Sequence, residues 1–177
     1  MSGKQLAKGL TLSTVGLLTL LASESFVSTP YLPNKYDRPT IGYGSTFYED
    51  GTPVRLDDPS ITKERALEIA GAHIGKDEDV FKKLTGDVYL SQTEYDVYID
   101  FMYQYGSATW SKSGMLRKLK AGDHKGACAN LLEYRKIRIY PKNQPSYLYD
   151  CSTPNNRICR GVWTRQLERY NKCLSAQ

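Results

Sequence analysis

Only two histidines, His73 and His124, occur among the 177 residues. A Ser–His or Cys–His hydrolase needs an imidazole beside its nucleophile, so both classes are disfavoured. The four cysteines, Cys128, Cys151, Cys159 and Cys173, contain no Cys-x-x-Cys, and neither histidine has metal-ligand spacing, which argues against zinc and any other metal centre. There is no Gly-x-Ser-x-Gly, P-loop, dinucleotide fingerprint or His-Glu-x-x-His, and no internal repeat. No uncharged run is long enough to span a bilayer directly. The longest, Gly9 to Ser23, would make a helix of roughly 22 Å against a hydrocarbon core of ~30 Å. Phenylalanine is scarce too, with 4 Phe against 14 Tyr. Tyrosine joins an apolar ring to a hydroxyl and suits wet binding clefts.

What is present is an ordinary globular composition, 40% hydrophobic and 24% charged, of a length for one domain or one domain with a tail. The net charge of +5 is uneven. Residues 128–177 hold nine Lys/Arg against three acids, and the remainder is about neutral. A basic C-terminal third points to an anionic partner or to a solvated basic face. No nucleic-acid-binding motif accompanies the charge, so no nucleic acid partner is expected. All four cysteines lie in this third, which implies disulfides and an oxidising compartment. Three pairings are open. Proximity favours Cys151 with Cys159, leaving Cys128 with Cys173 to join two late helices.

The N-terminus carries Lys4 and Lys8 before the weakly apolar run Gly9 to Ser23, a pattern shared by secretory signals and by buried first helices. Pro30, Pro33 and Pro39 then forbid a long helix. Thr40-Ile-Gly-Tyr-Gly-Ser-Thr46 reads as a short strand, Asp50-Gly51 as a hairpin turn and Val54–Leu56 as its return. After Pro59 the period becomes helical. Thr62 caps a helix ending at Gly75; Val80, Phe81 and Leu84 form a shorter one ending near Gly86. Ser91-Gln-Thr-Glu94 is a capping box, followed by the core stripe Tyr95, Tyr98, Ile99, Met102 and Tyr105, closed by Gly106. Further helices carry Met115 to Leu119, stopped by Gly122, then Ala127 to Leu132, and last Trp163, Leu167, Tyr170 and Leu174. Tyr134 to Arg160 reads as a long basic loop.

With histidine chemistry set aside, carboxylates remain. Glu24 closes the apolar run beside Phe26, where desolvation would raise its pKa and keep a proton available. Asp37, on a proline-framed polar bend, would stay ionised. Two carboxylates in opposed environments suit the acid and base of a glycosidase, and Thr40 stands where it would hold a water.

The stretch Glu24…Asp37…Thr40-Ile-Gly-Tyr-Gly-Ser-Thr46 resembles the active-site segment of the phage T4-type lysozymes, glycoside hydrolase family 24. Tyr103-Gln104-Tyr105-Gly106 with Leu116-Arg117-Lys118-Leu119-Lys120-Ala121-Gly122-Asp123, and Arg160-Gly161-Val162-Trp163-Thr164-Arg165-Gln166-Leu167-Glu168-Arg169, resemble two further family blocks in family order. The resemblance implies an α+β, lysozyme-like fold, with a small β-containing lobe, a larger helical lobe and a cleft between. Residues 1–23 would be the apolar segment or first helix, 24–62 the small lobe with the catalytic residues, and 63–177 the helical lobe. It implies a muramidase cleaving the β-1,4 bond between N-acetylmuramic acid and N-acetylglucosamine, with Glu24 as general acid, Asp37 as base, Thr40 positioning water, Gln104 and Tyr103 binding substrate, and no cofactor. The aspartate departs from the family pattern. The usual spacing leaves eight residues between Glu and Asp and five before Thr, and here there are twelve and two. Pro33 stands where the usual aspartate would fall, and Asn34 is an amide, not a base. Asp37-Arg38-Pro39-Thr40 is similar to an Asp-x-Pro-Thr sequence in one branch of phage endolysins.

The family also implies a signal-arrest-release segment. Gly9 to Ser23 would tether an inactive enzyme transiently to the host inner membrane, with Glu24 at the bilayer surface, before escape to the periplasm. No cysteine precedes Cys128, so thiol exchange with the tether is not the trigger. The expected partner is peptidoglycan and the expected state a monomer. The rival reading is a non-catalytic wall-binding or virion structural protein on a lysozyme scaffold.

Overall fold

The computed structural model describes residues 3–22, 24–34 and 37–177. The chain begins with β1 (Gln5–Leu6), a 3-10 turn over Ala7–Gly9, and α1 (Thr14–Leu21). The β-rich segment holds β2 (Val27–Tyr31) and β3 (Thr40–Gly42). The helical part follows: α2 (Lys63–Thr85), β4 (Tyr89–Leu90), α3 (Gln92–Tyr105), α4 (Ser107–Ser111), α5 (Gly114–Lys120) and α6 (His124–Asn130). A hairpin of β5 (Lys136–Ile139) and β6 (Tyr147–Asp150) precedes α7 (Arg160–Ser175).

The anticipated fifteen-residue apolar helix is instead eight residues long. Ser13 stays extended and its side chain accepts from the Gly16 N–H at 2.9 Å, which starts α1 only at Thr14. Ser13 is in turn fixed by Asp96 of α3, its N–H donating at 3.0 Å. Gly16 makes this contact feasible: a Cβ there would lie 2.8 Å from the Asp96 carboxyl carbon and 2.7 Å from Leu12. Upstream, Gln5 and Leu6 pair with Leu90 and Tyr89, and the Ala7 N–H donates to Val88 O at 2.8 Å. Ala7, Leu10, Leu20 and Leu21 are buried with the helical core, whereas Val15 and Leu18 face solvent. Among the described residues no helix is long and apolar enough to cross a membrane.

The core is built around α3, whose Tyr95, Tyr98, Ile99 and Met102 are buried as the stripe predicts. Phe81 stacks on Trp110 at 5.0 Å and meets Tyr95 edge-on at 5.3 Å, and Trp110 donates its buried N–H to Thr85 at 3.2 Å. Gly75 does not end a helix. α2 runs from the Thr62 cap to Gly86 because Ala66, Ile69, Ala70, Ile74 and Phe81 keep one buried face in phase through Gly71 and Gly75. A glycine inside a helix costs about 1 kcal/mol, which such burial outweighs. The Ser91–Glu94 capping box forms in full, and Gly106 (φ 84°) and Gly122 (φ 77°) terminate α3 and α5 as expected.

Three further expectations are corrected. The Asp50-Gly51 turn forms, but its ladder ends at the Phe47↔Pro53 bridge and the Val54 N–H to Thr46 O bond of 3.0 Å, so Val54–Leu56 is no strand. Tyr134 to Arg160 is not all loop: Ile137 faces Tyr149 and Ile139 faces Tyr147 in an antiparallel ladder, an alternation that the Pro and Asn residues at the tip conceal. The inward face of α7 is Gln166, Arg169 and Cys173, while Trp163, Leu167 and Tyr170 are half-buried and Leu174 is exposed. Polar partners set this rotation: Gln166 donates to the Tyr105 hydroxyl at 2.6 Å and Arg169 to Asp100 at 2.6 Å. The disulfides are Cys128–Cys173, which joins α6 to α7, and Cys151–Cys159, which ties the end of β6 to the start of α7.

Candidate active site

Glu24, Asp37 and Thr40 lie on or beside one strand pairing. Glu24 follows α1, its N–H donating to Leu21 O at 2.9 Å, so the buried Leu20 and Leu21 anchor its backbone. Three residues on, Val27 pairs with Gly42, and Tyr31 pairs with Thr40. This antiparallel pairing folds the Glu24 end of the chain onto the Gly-rich strand. Phe26 continues the contact, its ring 5.7 Å from that of Tyr43. Gly42 holds φ 65° against α2, where a Cβ would come within 3.0 Å of the Ala66 Cβ, so both backbone angle and close approach call for glycine.

Beyond β3 the chain lines a cavity of about 240 Å³, with Tyr43 to Phe47 as one wall, Ala70 and His73 of α2 as another, and Tyr103 of α3 closing it. His73 lies 2.7 Å from Phe47 O through its Nε2. A carbonyl only accepts, so Nε2 carries the proton, and the bond ties the loop to α2. Arg38 rests over the Phe47 ring at 5.5 Å.

Two carboxylates act on Tyr103 at the edge of this cavity. Burial pushes the Tyr103 hydroxyl above its ordinary pKa, and the charges of Glu24 and then Asp77 add to the rise. The two carboxylates therefore share the field around one phenol. Burial also raises the Asp77 carboxyl, against a smaller opposing pull from His73 one turn earlier on α2. Neither His73 nor Asp77 stood out in the sequence. Their one signal there is the four-residue interval that stacks them on a single helix face.

Glu24 itself is exposed, so the apolar enclosure expected from its position in the sequence is not present. The apolar residues before it turn inward to the helical core and leave the carboxyl in solvent. Thr40 is buried in β3 and donates its hydroxyl to Arg38 O at 3.0 Å. Asp37 is exposed on the bend; its N–H donates to Asn34 O at 3.1 Å and its carboxylate accepts from the Asn34 amide. Asn34 thus enters as a partner of the aspartate. Of the two substrate-binding candidates, Tyr103 lines the cavity and Gln104, exposed one residue later, does not. Among the described residues no cluster of His, Cys, Asp and Glu has the form of a metal site. A larger groove of about 630 Å³ runs between α1, α3 and α7, and none of the named residues lines it.

Comparison with known proteins agrees with this architecture. The sequence pattern of the phage lysozyme family matches residues 22–144. The endolysin of Salmonella phage P22 is 30% identical over 98 residues, 55% of this chain and 66% of its own length. That of Acyrthosiphon pisum secondary endosymbiont phage 1 is 31% identical over 58 residues, 33% of this chain and 40% of its own length. The matched stretches thus span less than two thirds of either relative. The solved endolysin from Escherichia coli O157:H7 phage FAHEc1 superposes with a TM-score of 0.71 at 22% identity, covering 95% of this chain and 96% of that one, a likeness of fold. Helices packed around α3, small antiparallel pairings and the Glu24-to-Thr40 segment within the matched residues lead to one conclusion: the chain belongs to the phage lysozyme family.

Proposed function

We propose that the chain is an endolysin, a muramidase that hydrolyses β-1,4 bonds between N-acetylmuramic acid and N-acetylglucosamine in peptidoglycan to lyse the host bacterium. The observation that carries this reading is the electrostatic grouping of Glu24 with Tyr103 at a cleft whose opposite wall is the glycine-bent segment after Thr40. Glu24 donates a proton to the leaving glycosidic oxygen, Asp37 takes one from the attacking water, and Thr40 orients that water. Glu24 is open to solvent, where a glycan can reach it. The Asn34 amide donates to the Asp37 carboxylate and fixes its position. Tyr103 forms the cleft edge on which a sugar ring rests, and Gln104 binds substrate just outside the cavity.

We also propose that residues 9–23 first tether the enzyme to the inner membrane and dock after release into the periplasm. The contacts of this segment and of the residues just before it support this: Lys4 to Glu94 at 3.3 Å, Lys8 to Asp87 at 2.9 Å, the Leu12 N–H to Glu78 at 2.7 Å and Ser13 to Asp96. All four partners are carboxylates of the helical lobe. They receive the segment without any disulfide exchange. Mass spectrometry of the products of purified peptidoglycan tests the bond cleaved: reducing-end N-acetylmuramic acid is expected, and reducing-end N-acetylglucosamine or intact glycan contradicts it. N-terminal sequencing of the mature protein tests the tether, which a start at Glu24 or later would refute.

A further inference from the structure

The β5–β6 hairpin is used by nothing described so far, and β6 with the disulfide loop lies beyond the residues matched to the family. Its register assigns the faces. Ile137, Ile139, Tyr147 and Tyr149 share one face, and Lys136, Arg138, Leu148 and Asp150 share the other. Ile137, Ile139 and Tyr149 are half-buried and turn the first face toward the body except at the exposed Tyr147, and Lys136, Arg138 and Leu148 of the second face are exposed. Directly across the ladder from exposed Arg138 lies Leu148, 58% exposed, and Tyr140 just past β5 is 77% exposed. Ile158, on the disulfide loop that braces the hairpin, is 60% exposed.

Charge follows the same segment. Residues 134–160 contain six Lys/Arg and one acid, Asp150. That acid is committed internally, accepting from Ser152 at 2.6 Å and from Arg135 at 3.1 Å. The outward cations Lys136 and Arg138 have no carboxylate partner among the described ion pairs. The hairpin base is rigid: the Cys151 N–H donates to Arg135 O at 2.7 Å and Cys151 is bonded to Cys159.

Exposed leucine and tyrosine set among cations, on the outward face of a ribbon, suit a layered partner with phosphates outside and hydrocarbon beneath. A wall glycan offers no hydrocarbon to receive Leu148 or Ile158. We propose that the outward face of the β5–β6 hairpin, centred on Lys136, Arg138, Tyr140 and Leu148, is a docking surface for an anionic phospholipid bilayer. Arg138 and Lys136 meet the phosphates, Leu148 enters the acyl boundary, and the Tyr140 hydroxyl stays at the headgroup level. The proposal is independent of the bond that the cleft hydrolyses.

The test is co-sedimentation of the full chain with vesicles of phosphatidylcholine alone or of phosphatidylcholine with phosphatidylglycerol. Binding is expected to the anionic vesicles only, to weaken with salt, and to fall at least about tenfold in an Arg138→Gln/Leu148→Ser variant. A separate Lys136→Gln/Tyr140→Ser variant should lose binding similarly, with both variants keeping the wild-type thermal midpoint and clearing of purified cell wall. Equal binding to both vesicle types, binding to neither, or full binding by the folded variants would overturn the proposal. So would loss of retention on purified wall in place of loss on vesicles. Binding that survives both variants and instead needs the exposed Val15 and Leu18 would reassign the contact to α1.

Discussion

Replacing Glu94 by glutamine tests how the chain's two ends are held to the helical lobe. Glu94 is fully buried, and its Oε1 faces three donors: His124 at 2.7 Å, Gln177 at 2.9 Å and Lys4 at 3.3 Å. Its other oxygen accepts the Ser91 N–H at 2.8 Å, completing the capping box of α3. A single carboxylate thus joins Lys4 just before β1, the start of α3, the start of α6 and Gln177. An amide cannot serve this set, because whichever way it turns, its NH2 group faces a donor. The loss combines the capping bond, about 1 kcal/mol, with removal of the anion from a buried charged cluster, giving roughly 3–5 kcal/mol in all. For a chain of this size that corresponds to a fall of roughly 10 °C in thermal midpoint. Scanning calorimetry of Glu94→Gln at neutral pH measures it.

The pH dependence supplies the sign. Burial works to raise the Glu94 pKa, but hydrogen bonds from Ser91, Gln177 and His124, together with the charge of His124, outweigh it and hold the carboxyl below the usual range. A lowered folded-state pKa stabilises above the unfolded value, ~4.3, and that stabilisation is lost as pH falls through the folded value. The gap between wild type and Glu94→Gln should therefore be full at pH 6–7 and shrink below about pH 4. A shift under about 2 °C, or a gap unchanged on acidification, would refute the reasoning.

Two further outcomes are expected. Loss of Cys128–Cys173, whose sequence separation is 45, should cost about 4 kcal/mol by the loop-entropy relation, against about 2.5 kcal/mol for Cys151–Cys159 with its separation of 8; urea unfolding of the two paired Cys→Ser variants gives the order, and a reversal contradicts it. His73→Ala removes the bond to Phe47 O and should raise KM for wall fragments about tenfold with little change in kcat, because it loosens a cleft wall and touches no reacting atom. A drop confined to kcat would place His73 in the chemistry instead.

Local signals carried most of the helical boundaries. Thr62, the Ser91–Glu94 box, Gly106 and Gly122 act within four residues of chain, so their physics is complete in the sequence. Elements decided by distant partners were not legible. β1 exists because Leu90 and Tyr89 lie beside it, and the face of α7 is chosen by Asp100, Tyr105 and Cys128. The short α1 depends on Asp96 accepting from Ser13, a contact 83 residues away in sequence. The site divides the same way. Glu24 and Thr40 were named through resemblance and a glycine-rich strand. His73 enters the cleft only once α2 lies under the Tyr43–Phe47 wall, with Asp77 one turn further along the same helix. The solvent exposure of Glu24 was hidden because the apolar run before it buries its own leucines, not the acid that follows.

The central claim is that the carboxyl after α1 protonates a wall-sugar bond, and the most direct measurement is glycan cleavage by Glu24→Gln on purified peptidoglycan. Release of soluble muropeptides at a rate lower by at least about 10²-fold, with the thermal midpoint unchanged, is the predicted result. Equal release by both proteins would contradict it and remove Glu24 from the reaction.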